Sequence, residues 1–262
     1  MSLKHCADFV YFNDKDRFTS LMFLKSFERE KIFPLYAFYL EICKIPWIIK
    51  EEGLAEIKMM WWYEKISQFN LNPKKTDHPI LDPLLKVIKE NKLPIEKFLK
   101  IIETRKFDIY KEPHQNFSEQ INYLYNSSGN IMELTYFCLG ENDFSNGHRC
   151  ANNFGFLQGA ANLVSNLPTL INSGRSVIFY DTDLKKGFLD LVKFSLDVYE
   201  KNIAILSLLP KNSTKYFLPA AFSVEILRNA IKNPELFISN GFEMSTFKKR
   251  ILLFKSFYLN KI

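Results

Sequence analysis

No run of eighteen uncharged apolar residues occurs in this 262-residue sequence, which excludes a helical membrane span. Cys-x-x-Cys spacing is also missing. The four cysteines, Cys6, Cys43, Cys138 and Cys150, and the four histidines, His5, His78, His114 and His148, are scattered rather than grouped as metal ligands. Zinc is not expected, and reduced thiols in a cytoplasmic setting are the simplest reading. The opening stretch MSLKHCADFVYFNDKDRF lacks the apolar core of a secretory signal. Alternation of polar and apolar residues over several consecutive runs is absent; only Ser176 to Tyr180 is β-prone. No block of lysine and arginine interleaved with exposed aromatics stands out, so nucleic-acid binding is not expected.

What is present is a helical pattern in a chain long enough to bury a substantial core. Its length allows one domain or two. The apolar fraction of 47% and charged fraction of 24% are those of a globular protein. Phenylalanine is abundant at 25 residues, which fits either a nucleotide composition bias or an aromatic cavity. The net charge of +6 permits weak peripheral contact with an anionic membrane surface, on the inner membrane face, or with diphosphate groups.

Asp16 to Phe27 predicts a first helix with Phe18, Leu21, Met22, Leu24 and Phe27 facing inward. Helices over 30–50 and 54–69 follow, separated by Gly53. Leu35, Phe38, Tyr39 and Ile42 form the apolar face of one, and Leu54, Ile57, Trp61 and Trp62 that of the other. Pro46 predicts a kink, because it lacks an amide donor and clashes with the preceding turn. After a polar loop from Asn70 to Thr76, His78-Pro79 opens a helix to about Asn91. Leu93-Pro94 opens another to Tyr110, burying Ile95, Phe98, Leu99, Ile101 and Ile102. Phe117 to Gly140 reads as one long helix with Gly140 as its C-cap. Further helices are expected over 146–166, 184–208, 213–231 and 244–259.

Several of these segments resemble one family. Leu35-Tyr36-Ala37-Phe38, with Arg29 seven residues before Tyr36, looks like the opening of the squalene/phytoene synthase family. Glu56-Ile57-Lys58-Met59-Met60-Trp61-Trp62 is similar to its second helix, and Pro79 to Tyr110 to its third and fourth. Tyr123 to Gly140 resembles the helix with a small-residue step, where Ser128 and Gly129 would let the helix bend or approach another closely. Asn162-Leu163-Val164 and Gly174-Arg175 resemble the second diagnostic segment. The likeness covers nearly the whole chain and is closest to the divergent branch that includes a mitochondrial complex I assembly factor. It implies a single all-α domain over 1–262, of the head-to-head trans-isoprenyl diphosphate synthase type, with helices around a central cavity.

Catalytic members carry magnesium-binding aspartates on two facing helices. Carried over, the first set falls at Cys43, Lys44 and Trp47, and the second at Asn166, Thr169 and Leu170, with Ser165 at an arginine position. Head-to-head coupling begins with departure of a diphosphate, whose charge magnesium neutralises through oxygen ligands. Sulfur, ammonium and indole groups do not hold a hard cation. The resemblance therefore implies a non-catalytic protein with no metal and no cofactor, acting in respiratory complex I biogenesis with a respiratory complex subunit as partner. The alternatives are a prenyltransferase condensing two farnesyl or geranylgeranyl diphosphates, which would need magnesium, and a binder of isoprenoid or other lipid without chemistry.

Arg29, Lys44, Arg175, Asn162 and Asn166 are the candidates for binding a prenyl diphosphate, since cationic side chains pair well with phosphate oxygens. Tyr36, Phe38, Glu41, Trp47, Trp61 and Trp62 are the candidates for a cavity wall. Ordinary core packing is the favoured reading of the aromatics, and a surface or helix-end salt bridge accounts equally for Arg29 and Arg175. Arg105, Asp108 and Glu112 share a helical face and read as an intrahelical ion pair. Asp181 and Asp183 read as helix caps.

Overall fold

The computed structural model describes residues 2–69, 76–139, 145–175 and 178–262, and among these the chain is helical with no β-strand. The helices are α1 (Ser2–Asn13), α2 (Lys15–Leu21), α3 (Ser26–Ile48), α4 (Glu52–Ser67), α5 (Leu81–Asn91), α6 (Ile95–Tyr110), α7 (Phe117–Leu124), α8 (Asn130–Leu139), α9 (Asn146–Ser165), α10 (Leu167–Asn172), α11 (Leu184–Leu206), α12 (Ser223–Lys232), α13 (Pro234–Asn240) and α14 (Thr246–Leu259). A π-helical turn, Tyr125–Gly129, joins α7 to α8, and a 3₁₀ segment, Lys211–Ala220, precedes α12.

Several starts are set by side-chain caps that satisfy orphan amides. Asp14 accepts from the Arg17 amide at 2.9 Å to begin α2. Asn116 accepts from Glu119 N at 2.8 Å to begin α7. Asp183 accepts from the amides of Lys185 and Lys186 to begin α11, as its sequence position suggests. Asp181 has no part in that cap.

The Asp14 cap also divides the N-terminal region differently from its periodicity. A separate α1 places Cys6 and Val10 in the core against α3. Helix α2 stops at Leu21, so Met22 lies in an exposed turn and Phe27 on the outer side of the first turn of α3. Only Leu21 and Leu24 of the expected inward residues are fully buried; Phe18 is half-buried against Phe33.

Helix α3 runs through Pro34 and Pro46, and Pro46 falls in its last turn, so that little helix follows the donor it lacks. Helix α4 buries Ala55, Met59, Trp62 and Ile66, whereas Leu54 and Ile57 are exposed. The face is selected by α6 alongside it: Lys106 Nζ donates to Glu56 at 2.8 Å and Tyr110 OH to the same carboxylate at 3.0 Å. Gly140, most of the polar loop after α4, and Ser176 and Val177 lie outside the described residues.

At the centre, α9 is buried on nearly every side and packs against α8, α11 and α12. Small residues make this approach possible. A Cβ on Gly155 would lie 2.7 Å from Met132 Cβ and 2.8 Å from Gly129 Cα, inside van der Waals contact. The Ser128-Gly129 step is thus a point of close helix approach. Phe38, fully buried, packs between Trp62 and Phe98 at ring distances of 5.6 and 5.5 Å. Each such buried ring contributes about 1.5–3 kcal/mol of transfer free energy.

Candidate functional site

A cavity of about 310 Å³ lies among α3, α6, the π-helical turn and α9. Helix α3 contributes Tyr39, Leu40, Cys43 and Trp47, and α9 contributes Gly159, Asn162 and Leu163. The facing positions at the end of α9 and in α10 are Asn166 and Leu170. Glycine at 159 lets the serine step draw in, since a Cβ there would stand 2.7 Å from Ser128 Oγ.

Three guanidinium groups define the electrostatics. Arg17 is buried; its Nη1 approaches Asp14 Oδ2 at 3.3 Å and its Nη2 donates to Gln158 Oε1 at 2.9 Å. It also stacks on Tyr39, 4.8 Å from the ring centre. Arg105 Nε stands 3.0 Å from Asp108 Oδ2, and its Nη1 donates to the Tyr123 hydroxyl. Tyr123 OH in turn donates to Asp108 Oδ1 at 2.9 Å. Arg175 is buried over Trp47 and donates to the Pro46 carbonyl at 3.1 Å.

Burial and charge act on these groups together. Desolvation is the largest influence on Arg17 and Arg105 and works against their charges, but Asp14 and Asp108 together with the surrounding tyrosines and Cys43 more than offset it and hold both guanidiniums above their ordinary range. Burial alone dominates at Arg175 and shifts it downward. Burial also pushes Tyr39 up to about 12 and raises the Cys43 thiol, so both stay protonated at neutral pH.

The cavity brings together Trp47, Asn162, Asn166 and Arg175 of the sequence-derived candidates. The others lie elsewhere. Lys44 points toward α1, donating to Asn13 Oδ1 at 2.5 Å and lying over the Phe9 ring. Arg29 sits at the start of α3 beside Met22 Sδ. Tyr36 and Phe38 are sealed in the core; Trp62 packs there with them, and Trp61 lies beside Trp62 and His78. Glu41 is half-buried outside the lining. One helix exposes only a narrow arc to a cavity, so neighbours of lining residues on α3 face other helices.

Arg17 and Asp14, which add to the charge of the cavity, and Tyr123, which bridges its Arg105–Asp108 pair, were not evident from sequence. Arg105 and Asp108 form the expected intrahelical pair, but the pair lines the cavity, and exposed Glu112 takes no part. The remaining signal was the Asp14 cap pattern, which orients Arg17.

The donor set can be weighed against magnesium, which takes hard oxygen ligands. Of the six positions that the sequence resemblance aligns with metal ligands, Cys43, Trp47, Asn166 and Leu170 face the cavity, whereas Lys44 and Thr169 do not line it. Its two carboxylates, Asp14 and Asp108, are each engaged by an arginine. Among the described residues no group of three or more His, Cys, Asp or Glu is arranged to hold a metal ion. A larger groove of about 460 Å³ runs beside α11, where Asp181, Asp183, Asp190 and Asp197 alternate with Lys186 and Lys193; it contains none of the candidates.

Comparison with known proteins sets this site in context. The squalene/phytoene synthase family matches residues 13–188. The human protein named NADH dehydrogenase (ubiquinone) complex I, assembly factor 6 is 23% identical over 181 residues, 69% of this chain and 53% of its own length. The Dictyostelium discoideum homologue is 27% identical over 143 residues, covering 54% of this chain and 40% of its own. The chain thus spans about half the length, or less, of the curated relatives it matches. A crystal structure of a dehydrosqualene synthase in complex with ligand superposes with a TM-score of 0.78 at 15% identity, over 99% of this chain and 96% of that one. A squalene synthase from Alicyclobacillus acidocaldarius gives 0.73 at 14% identity, over 89% and 94%. The fold is therefore the all-α fold of the head-to-head isoprenoid synthases.

Proposed function

The chain belongs to the squalene/phytoene synthase family, and we propose that it is a non-catalytic member that serves in the assembly of respiratory complex I. The observation that carries this reading is the content of the cavity to which the sequence resemblance assigns the magnesium ligands. Thiol, indole, amide and isobutyl groups occupy the facing positions, and both lining carboxylates are taken by arginine. Magnesium does not fit that donor set, and a departing diphosphate would have no divalent ion to receive its charge. The assembly role is supported by relatives named as complex I assembly factors.

A second reading has its own support. The three guanidiniums and the tyrosine and tryptophan walls suit metal-free binding of a prenyl diphosphate or another isoprenoid lipid, without chemistry. It is compatible with an assembly role.

The test pairs two measurements. Purified protein incubated with magnesium and labelled farnesyl or geranylgeranyl diphosphate releases no diphosphate. Cells lacking the protein contain less assembled complex I on native gels. Magnesium-dependent turnover overturns the non-catalytic reading, and an unchanged complex I level overturns the assembly role.

A further inference from the structure

Helix α14 has two opposed faces. On one, Leu253 and Ser256 are buried and Lys249 reaches Asp16 Oδ2 at 2.6 Å, which fixes the helix to α2. On the other, Phe247, Ile251, Phe254 and Tyr258 are all exposed, Phe247 by 75% and Tyr258 by 71%. With 3.6 residues per turn these four lie within about 60° of one another. The stripe extends inward through Phe23, whose ring meets Phe254 at 5.4 Å and Phe257 at 5.1 Å. Exposed Met22 precedes Phe23 in the α2–α3 turn.

Cations border the stripe on both sides. The same helical geometry puts Lys248 and Lys255 along one edge and Arg250 along the other. From Thr246 to Ile262 the sequence has five cations, Lys248, Lys249, Arg250, Lys255 and Lys261, and no carboxylate. Glu225 engages Lys248 at 2.6 Å, while Arg250, Lys255 and Lys261 are exposed. This is a basic block with exposed aromatics, which sequence alone did not make evident. Leu252, Leu253, Phe254 and Phe257 look equally apolar until packing separates the buried ones from the exposed ones.

We propose that α14 is a membrane-surface helix, with Phe247, Ile251, Phe254 and Tyr258 seated in the bilayer interface and Arg250, Lys255 and Lys261 paired with anionic phospholipid headgroups. An interfacial helix needs an apolar stripe edged by cations, and aromatic rings favour the headgroup boundary. Charge complementarity selects this occupant. A second copy paired through the stripe would set Arg250 and Lys255 near their counterparts, where like charges repel. A nucleic acid would engage the cations but leave Ile251 and Leu259 in water. The proposal stands independently of the assembly reading and gives a place to the membrane contact that net charge alone only permits.

Flotation of the full chain with phosphatidylglycerol-containing and pure phosphatidylcholine vesicles tests it. The native protein binds the anionic vesicles at low salt and releases at high salt. A Phe247→Ser/Tyr258→Ser double variant, changed only at highly exposed positions and checked by circular dichroism, binds roughly tenfold more weakly. Arg250→Glu/Lys255→Glu removes the salt-sensitive part of binding. Failure of the native protein to float with anionic vesicles at low salt overturns the proposal, as does flotation of both variants equal to native. Concentration-dependent self-association that Phe247→Ser/Tyr258→Ser abolishes, without vesicle binding, assigns the face to a second copy instead.

Discussion

The guanidinium of Arg175 lies 4.0 Å from the centre of the Trp47 ring while its Nη2 donates to the carbonyl of Pro46. That carbonyl belongs to the last turn of α3, where helical amide partners run out. A cation there also meets the negative end of the helix dipole. Arg175 therefore closes α3 and braces the cavity wall at once, and a ligand drawing on its charge would have to share it with a structural bond.

Removing that closure has a measurable cost. Arg175→Ala is expected to lower stability by about 1.5–3 kcal/mol, the range for a hydrogen bond from a charged group. Arg175→Lys recovers only part, because an ammonium lacks the planar face that stacks on indole. Urea unfolding followed by tryptophan fluorescence reads both, and an unshifted midpoint for Arg175→Ala rules out the closing role.

The Arg105–Asp108–Tyr123 group predicts strong coupling. Arg105→Ala leaves a largely buried carboxylate without its cation and is expected to destabilise by about 3–5 kcal/mol. Arg105→Ala with Asp108→Asn removes both charges and is expected to cost less than the sum of the single variants. A double-mutant cycle in denaturant measures this; additive values would show that the two residues do not act as a unit.

Acid sensitivity follows from His114, which stacks on Phe107 with ring centres 4.6 Å apart. Burial shifts it below its ordinary value of 6.5, against the pull of Glu119 and Asp108. In the unfolded chain the imidazole takes up a proton near that ordinary value; in the folded chain it does so only at lower pH. Between the two, the unfolded state binds more protons, so stability falls as pH drops through the ordinary value and the loss ends below the folded pKa. His78, also shifted down by burial, adds in the same direction. Melting temperature should fall between about pH 7.5 and about pH 5.5. His114→Phe should show a smaller fall, and an equal fall in the variant would move the effect to another group.

Much of the fold was legible because helical periodicity is a local property. Helix α5 is apolar on one face by spacing alone, burying Leu81, Leu84, Leu85 and Ile88. Faces were harder. In α4 the spacing of Leu54, Ile57 and Trp61 is as regular as that of Ala55, Met59, Trp62 and Ile66, and only the neighbouring α6 decides between them. The candidate site divided in the same way. Positions aligned on the family motif reached the cavity at Trp47, Asn162, Asn166 and Arg175, since alignment carries helix phase with it. Lys44 did not, because its neighbour Cys43 takes the inward arc and α1 supplies Asn13 outside. Arg17 joins the cavity through contacts with Gln158, 141 positions away, which no local pattern reveals.

The π-helical turn at Tyr125–Gly129 adds about one residue to a helical turn, so everything after it is rotated by about 100° relative to what precedes it. Helices α7 and α8 are for that reason out of phase, although the chain passes between them without a loop. Tyr123, Leu124, Ser127 and Ser128 turn toward the cavity, while α8 turns Ile131, Leu134 and Cys138 into the core. Loss of a single residue from this turn would convert it to an ordinary α-helical turn and leave α8 in the same phase against α3 and α9. The turn absorbs a one-residue change of length, and sequences compared across it need their numbering offset by one wherever a relative keeps an unbroken α-helix.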